Sequence, residues 1–305
     1  MADNPTTEFR LDDPYVDYKT VQIHDSPVVI NWKGKIGYGD IISPICYAFN
    51  LAEKNQVDVV LNFHWPEASP TKYKEKDKET IQEWVDFIAN HTQPVEFFDV
   101  QVNHVYNSKL GYNHDNYDAD DISLHNMRFS TFGLTDMQNA HDSLKLLSLV
   151  TTIKHKQQIK DYDPSKTWKD PIGDSPGAYV WPKVSAMLNK RGWDTKHLHY
   201  EHTCANAVKI MINSRCVFGY HGAHMWMAKW LGLPMIIFSK GGKRRNNITE
   251  KAFPWAVVYE YWTDFNIDSI EEMIALSISR RDEQIEKRKY YITNPNLYRL
   301  RGKRT

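Results

Sequence analysis

The sequence predicts an α/β protein made of two units, each with a parallel sheet, and three observations carry that expectation. Short apolar runs alternate with helically spaced segments in two separate stretches, and each stretch passes through a glycine turn between strand and helix. The 305 residues, 41% of them hydrophobic, suffice for two cores of about 150 residues each. No period of about 20 to 50 residues recurs, which argues against a solenoid.

In the first stretch, SPVVINW (Ser26 to Trp32) reads as a short buried strand and KGKIGYGD as a glycine-spaced turn. ISPICYAFNLAEKN has helical spacing, and VDVVLNF (Val57 to Phe63) is the next strand. Strand, turn, helix, strand is a βαβ unit, whose active loops lie at the carboxyl ends of the strands. That puts Gly34 to Asp40 on such an edge. In the second stretch WPKVSAMLNKRG is a helix closed by Gly192, TKHLHY a strand, ANAVKIMINS a helix and RCVFGY a strand. The turn HGAH then opens the helix MWMAKWLG, and LPMIIF is the last strand.

Between the two, PEASPTKYKEKDKET (66 to 80) reads as a charged loop, IQEWVDFIANH as an amphipathic helix and FDVQVNHVY as an alternating strand. Ser143 to Lys160 has helical apolar spacing, and DYDPSKTWKDPIGDSPG reads as a crossing between domains. The expected division is therefore residues 1–165 and 166–305.

Charge narrows the partners. Thirty-eight basic residues balance 38 acidic ones, so no global field draws the chain to nucleic acid or membrane. Three cysteines, Cys46, Cys204 and Cys216, sit in apolar contexts and suit buried thiols in a reducing compartment. No stretch approaches the roughly 18 apolar residues that span a bilayer, and the N-terminus lacks a secretory pattern. The location expected is the cytoplasm, that of the host if the chain is viral.

The glycine turns carry the chemistry. A helix N-terminus presents unpaired N–H groups and the positive end of the peptide dipole, so a glycine turn there can seat a phosphate. At the second turn Gly219 and Gly222 allow close approach, and His221 and His224 could add hydrogen bonds; the plain alternative is a tight bend with two polar core neighbours. At the first turn Asp40 is placed to cap the helix that follows.

The segment NAVKIMINSRCVFGYHGAHMWMAKWLGLPMIIF resembles the donor-binding segment of GT-B glycosyltransferases, most closely the heptosyltransferase family. The order and spacing of Ile212, Gly219, Met225, Ala228, Leu231, Gly232 and Pro234 carry the likeness. KIGYGDIISPICYAFNLAEK is similar to that family's N-terminal glycine loop, where a Gly-Asp pair opens the first helix on the acceptor side. The resemblance implies two Rossmann-like domains facing a cleft, the N-terminal one on the acceptor side and the C-terminal one holding a nucleotide-sugar. It implies Asp40 as general base, Gly37, Tyr38 and Gly39 as the acceptor loop, and His221, Gly222, Ala223 and His224 as the diphosphate cradle. No metal or further cofactor is implied, because the cradle itself stabilises the leaving diphosphate.

Further candidates stand beside these. Glu201, just past the TKHLHY strand, is placed to accept from ribose hydroxyls. Lys243 and Arg244, in KGGKRR, could touch nucleotide phosphates or a polyanionic acceptor, and nine basic residues from Arg280 to Arg304 form a second basic run. The acceptor expected is a carbohydrate, a lipid-linked sugar, or a hydroxymethylated base in DNA, since viral enzymes of that last kind share the GT-B class. Two alternatives remain: a non-catalytic nucleotide- or sugar-binding module, and a metal-dependent GT-A enzyme using Asp118-Ala119-Asp120 or Asp161-Tyr162-Asp163. The histidines at 114, 125, 197, 199 and 202 have no standard zinc spacing.

Overall fold

In the computed structural model the described residues are 27–32, 38–55, 57–66, 75–96, 98–107, 128–132, 146–150, 180–198, 203–220, 222–238, 250, 252–259 and 266–293. They form a mixed α/β structure with two parallel sheets. The first runs β1 (Val28–Trp32), α1 (Ile42–Asn55), β2 (Val59–Pro66), α2 (Glu75–Asn90), β3 (Val100–Asn107), with strands in the order β1-β2-β3. The second comprises β4 (Leu146–Val150), α3 (Val180–Lys190), β5 (Asp194–Leu198), α4 (Cys204–Ile212), β6 (Cys216–Tyr220), α5 (Ala223–Trp230), β7 (Met235–Phe238) and β8 (Val257–Tyr259). A short 3-10 turn (Ile267–Ser269) and α6 (Ile270–Thr293) follow. Every pairing in both sheets is parallel.

The strand order of the second sheet is β5-β4-β6-β7-β8, which within the sheet is 2-1-3-4-5. The chain reverses its direction of winding between β4 and β6. In open parallel sheets that switch leaves a crevice outside the carboxyl ends of the two strands, where ligands bind. The turn from β6 into α5 stands at that place.

Burial follows the two-residue period of a sheet covered on both faces. On β6 and β7, Val217, Met235 and Ile237 enter one core, while Cys216, Phe218, Ile236 and Phe238 enter the other. The second core is closed by Val184 and Leu188 of α3 and by Ile270, Met273 and Ile274 of α6. The first is shared by both sheets, joining Ile45 and Phe49 of α1, Trp84 and Ile88 of α2, Val208 and Met211 of α4, and Met225 and Trp230 of α5. The expected cleft is thus, along these four helices, a packed apolar layer. Across it Trp230 Nε1 donates to Thr92 Oγ1 at 3.1 Å, and Ser130 N donates to Trp230 O at 3.0 Å.

Two expectations about local structure change. Leu146–Val150, expected within a helix, is β4 in the middle of the second sheet. A short apolar run does not distinguish a buried strand from a buried helix by period alone, and here two parallel neighbours decide it. Because β4 belongs to the second sheet, the chain passes from one sheet to the other between β3 and β4. Helix α2 begins at Glu75, inside the stretch expected as a loop. Its first turns, EKDKET, are rich in good helix formers and need no apolar face there. At the ends of α3 and α5, Gly192 (φ +82°) and Gly232 (φ +69°) take the left-handed conformation that closes a helix. All three cysteines are buried thiols, as expected.

All eight residues of α5 are buried, which explains a helix apolar on every side. Lys229 is the exception in kind. Its Nζ donates to Ala252 O at 2.7 Å and lies 5.3 Å from the centroid of the Trp226 ring. Burial pulls this ammonium down from 10.5 to about 7, opposed by the nearby Cys46. The folded state therefore binds the proton less tightly than the unfolded chain does. Stability rises with pH from about 7 toward 10.5 on this group's account, and is unaffected by it outside that window. Urea unfolding at pH 7, 8 and 9 is expected to show a positive slope that Lys229→Met removes. An unchanged slope in the variant would assign the pH dependence to other groups.

Candidate functional site

The first glycine turn is anchored by Ile41 and Ile42, both fully buried at the start of α1. Asp40 precedes them and is exposed. Because α1 begins at Ile42, Asp40 lies one residue ahead of the usual capping position. Tyr38 packs its ring edge-on to Trp84 of α2, with centroids 4.4 Å apart.

The second turn enters α5 through Gly222, whose backbone is extended (φ −174°, ψ −177°). Any residue adopts that conformation, so the case for glycine there rests on space and not on dihedral freedom. Met225 N and Trp226 N both donate to Gly222 O, at 3.0 and 3.2 Å. The N–H groups ahead of them in the first turn have no acceptor inside the helix. Neither α1 nor α5 carries an acidic side chain in its first turn, so neither positive helix end is neutralised from within.

These two turns, far apart in sequence, meet. A Cβ added to Gly39 would lie 3.0 Å from Trp226 Cδ1 and 3.2 Å from Ala223 Cα. A side chain at this position would press on α5, so glycine lets the start of α1 approach the start of α5 closely. The starts of α1 and α5 are thereby brought together, α5 following β6 at the switch point of the second sheet.

Of the expected cradle, Gly222 and Ala223 lie at the start of α5, with Ala223 buried. His224 does not belong to it. Its side chain is fully buried and faces the edge of Trp84, 5.9 Å between centroids, as part of the layer between the helices. One residue into a helix buried all round, the ring points to the core. Gly37, His221, Glu201, Lys243 and Arg244 lie outside the described residues, as do both Asp-x-Asp triplets and four of the five histidines weighed for zinc. The exception, His197, lies on β5 and is partly buried.

The basic run also changes meaning at its start. Arg280 Nη1 donates to Ala256 O at 3.0 Å, and the buried Arg281 donates through Nη1 to Gly232 O at 3.2 Å. Both bond main-chain carbonyls, Arg281 from within the core and Arg280 from an exposed position.

One residue escaped the sequence reading. Glu83 of α2 accepts the N–H of Cys204 at the start of α4, beside Thr203, whose Oγ1 caps Asn206 N at 3.2 Å. Burial raises the Glu83 pKa above the usual carboxylate value; the Cys204 N–H opposes this, and the charge of Asp86 adds to it. Adjacent residues of α2, Glu83 and Trp84, thus reach α4 on one side and Tyr38 and α5 on the other. Nothing in a charged residue on an amphipathic helix announces this, since its partner lies in the other sheet's unit.

Comparison with known proteins gives no match to a family model, a curated protein or a solved structure. Among the described residues no helix is long and apolar enough to cross a membrane, and no three His, Cys, Asp or Glu side chains gather as a metal site would require.

Proposed function

We propose that the chain is a nucleotide-sugar-dependent glycosyltransferase of GT-B type, with the donor diphosphate held by the starts of α5 and α1. The observation that carries this reading is the contact of Gly39 with Ala223 and Trp226, which sets the starts of two helices side by side at a sheet switch point. Asp40, exposed at the same junction, is the base. Its carboxylate takes the proton of an acceptor hydroxyl as that oxygen bonds to the anomeric carbon, and the bond from that carbon to the diphosphate breaks, its electron pair leaving with the diphosphate. The N–H groups of the helix starts stabilise the departing charge without requiring a cation. Glu201, His221, Lys243 and Arg244 complete the donor site in this reading.

A carbohydrate acceptor is preferred over a hydroxymethylated base in DNA, because the buried Arg281 is withdrawn from the basic run. The test is a panel of UDP-, GDP-, ADP- and CMP-sugars screened by thermal shift and by nucleotide release. A bound donor at a hundred times its Kd adds about 2.7 kcal/mol of stability, so a specific donor is expected to raise Tm clearly. A panel with no stabilising member and no nucleotide release would overturn the proposal.

A further inference from the structure

The carboxyl end of the first sheet carries a second group of side chains that the proposed transfer chemistry does not use. On the face of β3 toward α2, His104 and Tyr106 lie two residues apart, and on α2 Gln82 and Asp86 lie four apart, so the pairs face each other. Gln82 Nε2 donates to the Tyr106 hydroxyl at 2.6 Å. Trp65 Nε1 donates to His104 Nδ1 at 2.9 Å, and His104 Nε2 lies 2.9 Å from Asp86 Oδ1.

The order of these bonds fixes the histidine. An indole N–H only donates, so Nδ1 is the acceptor and the neutral ring carries its proton on Nε2, which donates to Asp86. Trp65 is 2% exposed, His104 20% and Asp86 56% at the side chain. A buried indole thus orients a histidine that in turn holds a solvent-facing carboxylate in one position. Carboxylates at a surface ordinarily turn freely, and such layered support is what a binding group requires. Beside it Tyr106 is 51% exposed, its hydroxyl held by Gln82.

We propose that Tyr106, Asp86 and Gln82 form a carbohydrate subsite, with the Tyr106 ring stacking on the apolar face of a pyranose and Asp86 and Gln82 bonding its hydroxyls. An aromatic ring with an apolar face and a polar tip, next to a fixed acceptor and an amide, matches a ligand that is apolar on its ring faces and hydroxylated at its rim. On the proposed function this subsite holds the acceptor glycan, and it rests on that reading only for the word acceptor. The subsite stands at the same end of the sheet as the Tyr38–Asp40 turn, since Tyr106 lies at the carboxyl end of β3 and the turn follows the carboxyl end of the parallel β1.

The test titrates maltohexaose, cellohexaose, chitohexaose and mannohexaose into the full chain without donor, read by saturation-transfer NMR and tryptophan fluorescence. At least one is expected to bind, with affinity reduced about tenfold or more by Tyr106→Ala and by Asp86→Asn, and retained by Tyr106→Phe. Trp65→Phe, which removes the indole donor, is expected to weaken binding while leaving the ring of Tyr106 in place, and Gln101→Ala, on the opposite face of the sheet, to leave it unchanged. Circular dichroism confirms folding of each variant, and Asp86→Asn, a surface change of equal size, keeps the test decisive if another variant unfolds. Absence of binding by all four saccharides, equal binding by Tyr106→Ala and Asp86→Asn, or binding of hydroxymethylated duplex DNA in their place would overturn the subsite. Saccharide binding without transfer from any donor would sink the transferase reading alone, and transfer undisturbed by Tyr106→Ala would sink the subsite alone.

Discussion

Asp40→Asn is expected to lower turnover about a hundredfold or more while leaving donor affinity nearly unchanged. The amide is close to the carboxylate in size and keeps its hydrogen-bonding reach, but it cannot take a proton at neutral pH. The helix it precedes begins at Ile42 and is held by the buried Ile41, Ile42 and Ile45, so loss of charge at an exposed position ahead of it leaves the fold standing. Steady-state kinetics with the identified donor, beside a urea melt, separate the roles. A fall in stability with full turnover per folded molecule would make Asp40 a structural residue only.

The second large effect belongs to Gly39→Val. A Cβ at this position meets the backbone of Ala223 at 3.2 Å and Trp226 Cδ1 at 3.0 Å, and the two further methyl groups of valine need still more room. The start of α1 must then move off the start of α5. Overpacking of this sort costs about 1 to 3 kcal/mol, small enough for a folded variant. The expected result is loss of nucleotide-sugar binding together with that modest destabilisation. Gly39→Ala is expected to fall between the two, because α5, buried on every side, has little freedom to yield. Donor affinity unchanged in a folded Gly39→Val protein would show that the contact of the two turns serves packing alone.

Much of the architecture was legible in the sequence because short apolar runs and glycine punctuation coincide in it. VVINW, CVFGY and MIIF are short apolar runs, each with glycine close beside it in the sequence, so length and context separate strand from helix. LLSLV had no such frame: it lies in a longer apolar stretch, and its two parallel neighbours come from residues far along the chain. At the site, Gly39, Asp40 and Gly222 could be picked out because glycine beside a helix start has few uses. What could not be read was direction. His224 follows the same turn whether its ring faces a ligand or the core, and only the burial of α5 on all sides decides it. Glu83 and Trp84 looked like two residues of one amphipathic helix, yet they reach the starts of two helices in the other half of the chain. Contacts between distant segments leave no local periodicity to find. The same holds for Arg281, where a run of charge suggested a surface and the side chain is buried against the carbonyl of Gly232.

The central claim is that the starts of α1 and α5 form one diphosphate site. Its most direct test is a titration of nucleoside diphosphates followed by backbone amide NMR on the deuterated chain. One nucleotide is expected to shift the amides of Gly39, Gly222 and Ala223 together, along a single saturation curve, and Gly39→Val to abolish all three responses. Saturable nucleotide binding that leaves these three amides in place while shifting others would contradict that claim.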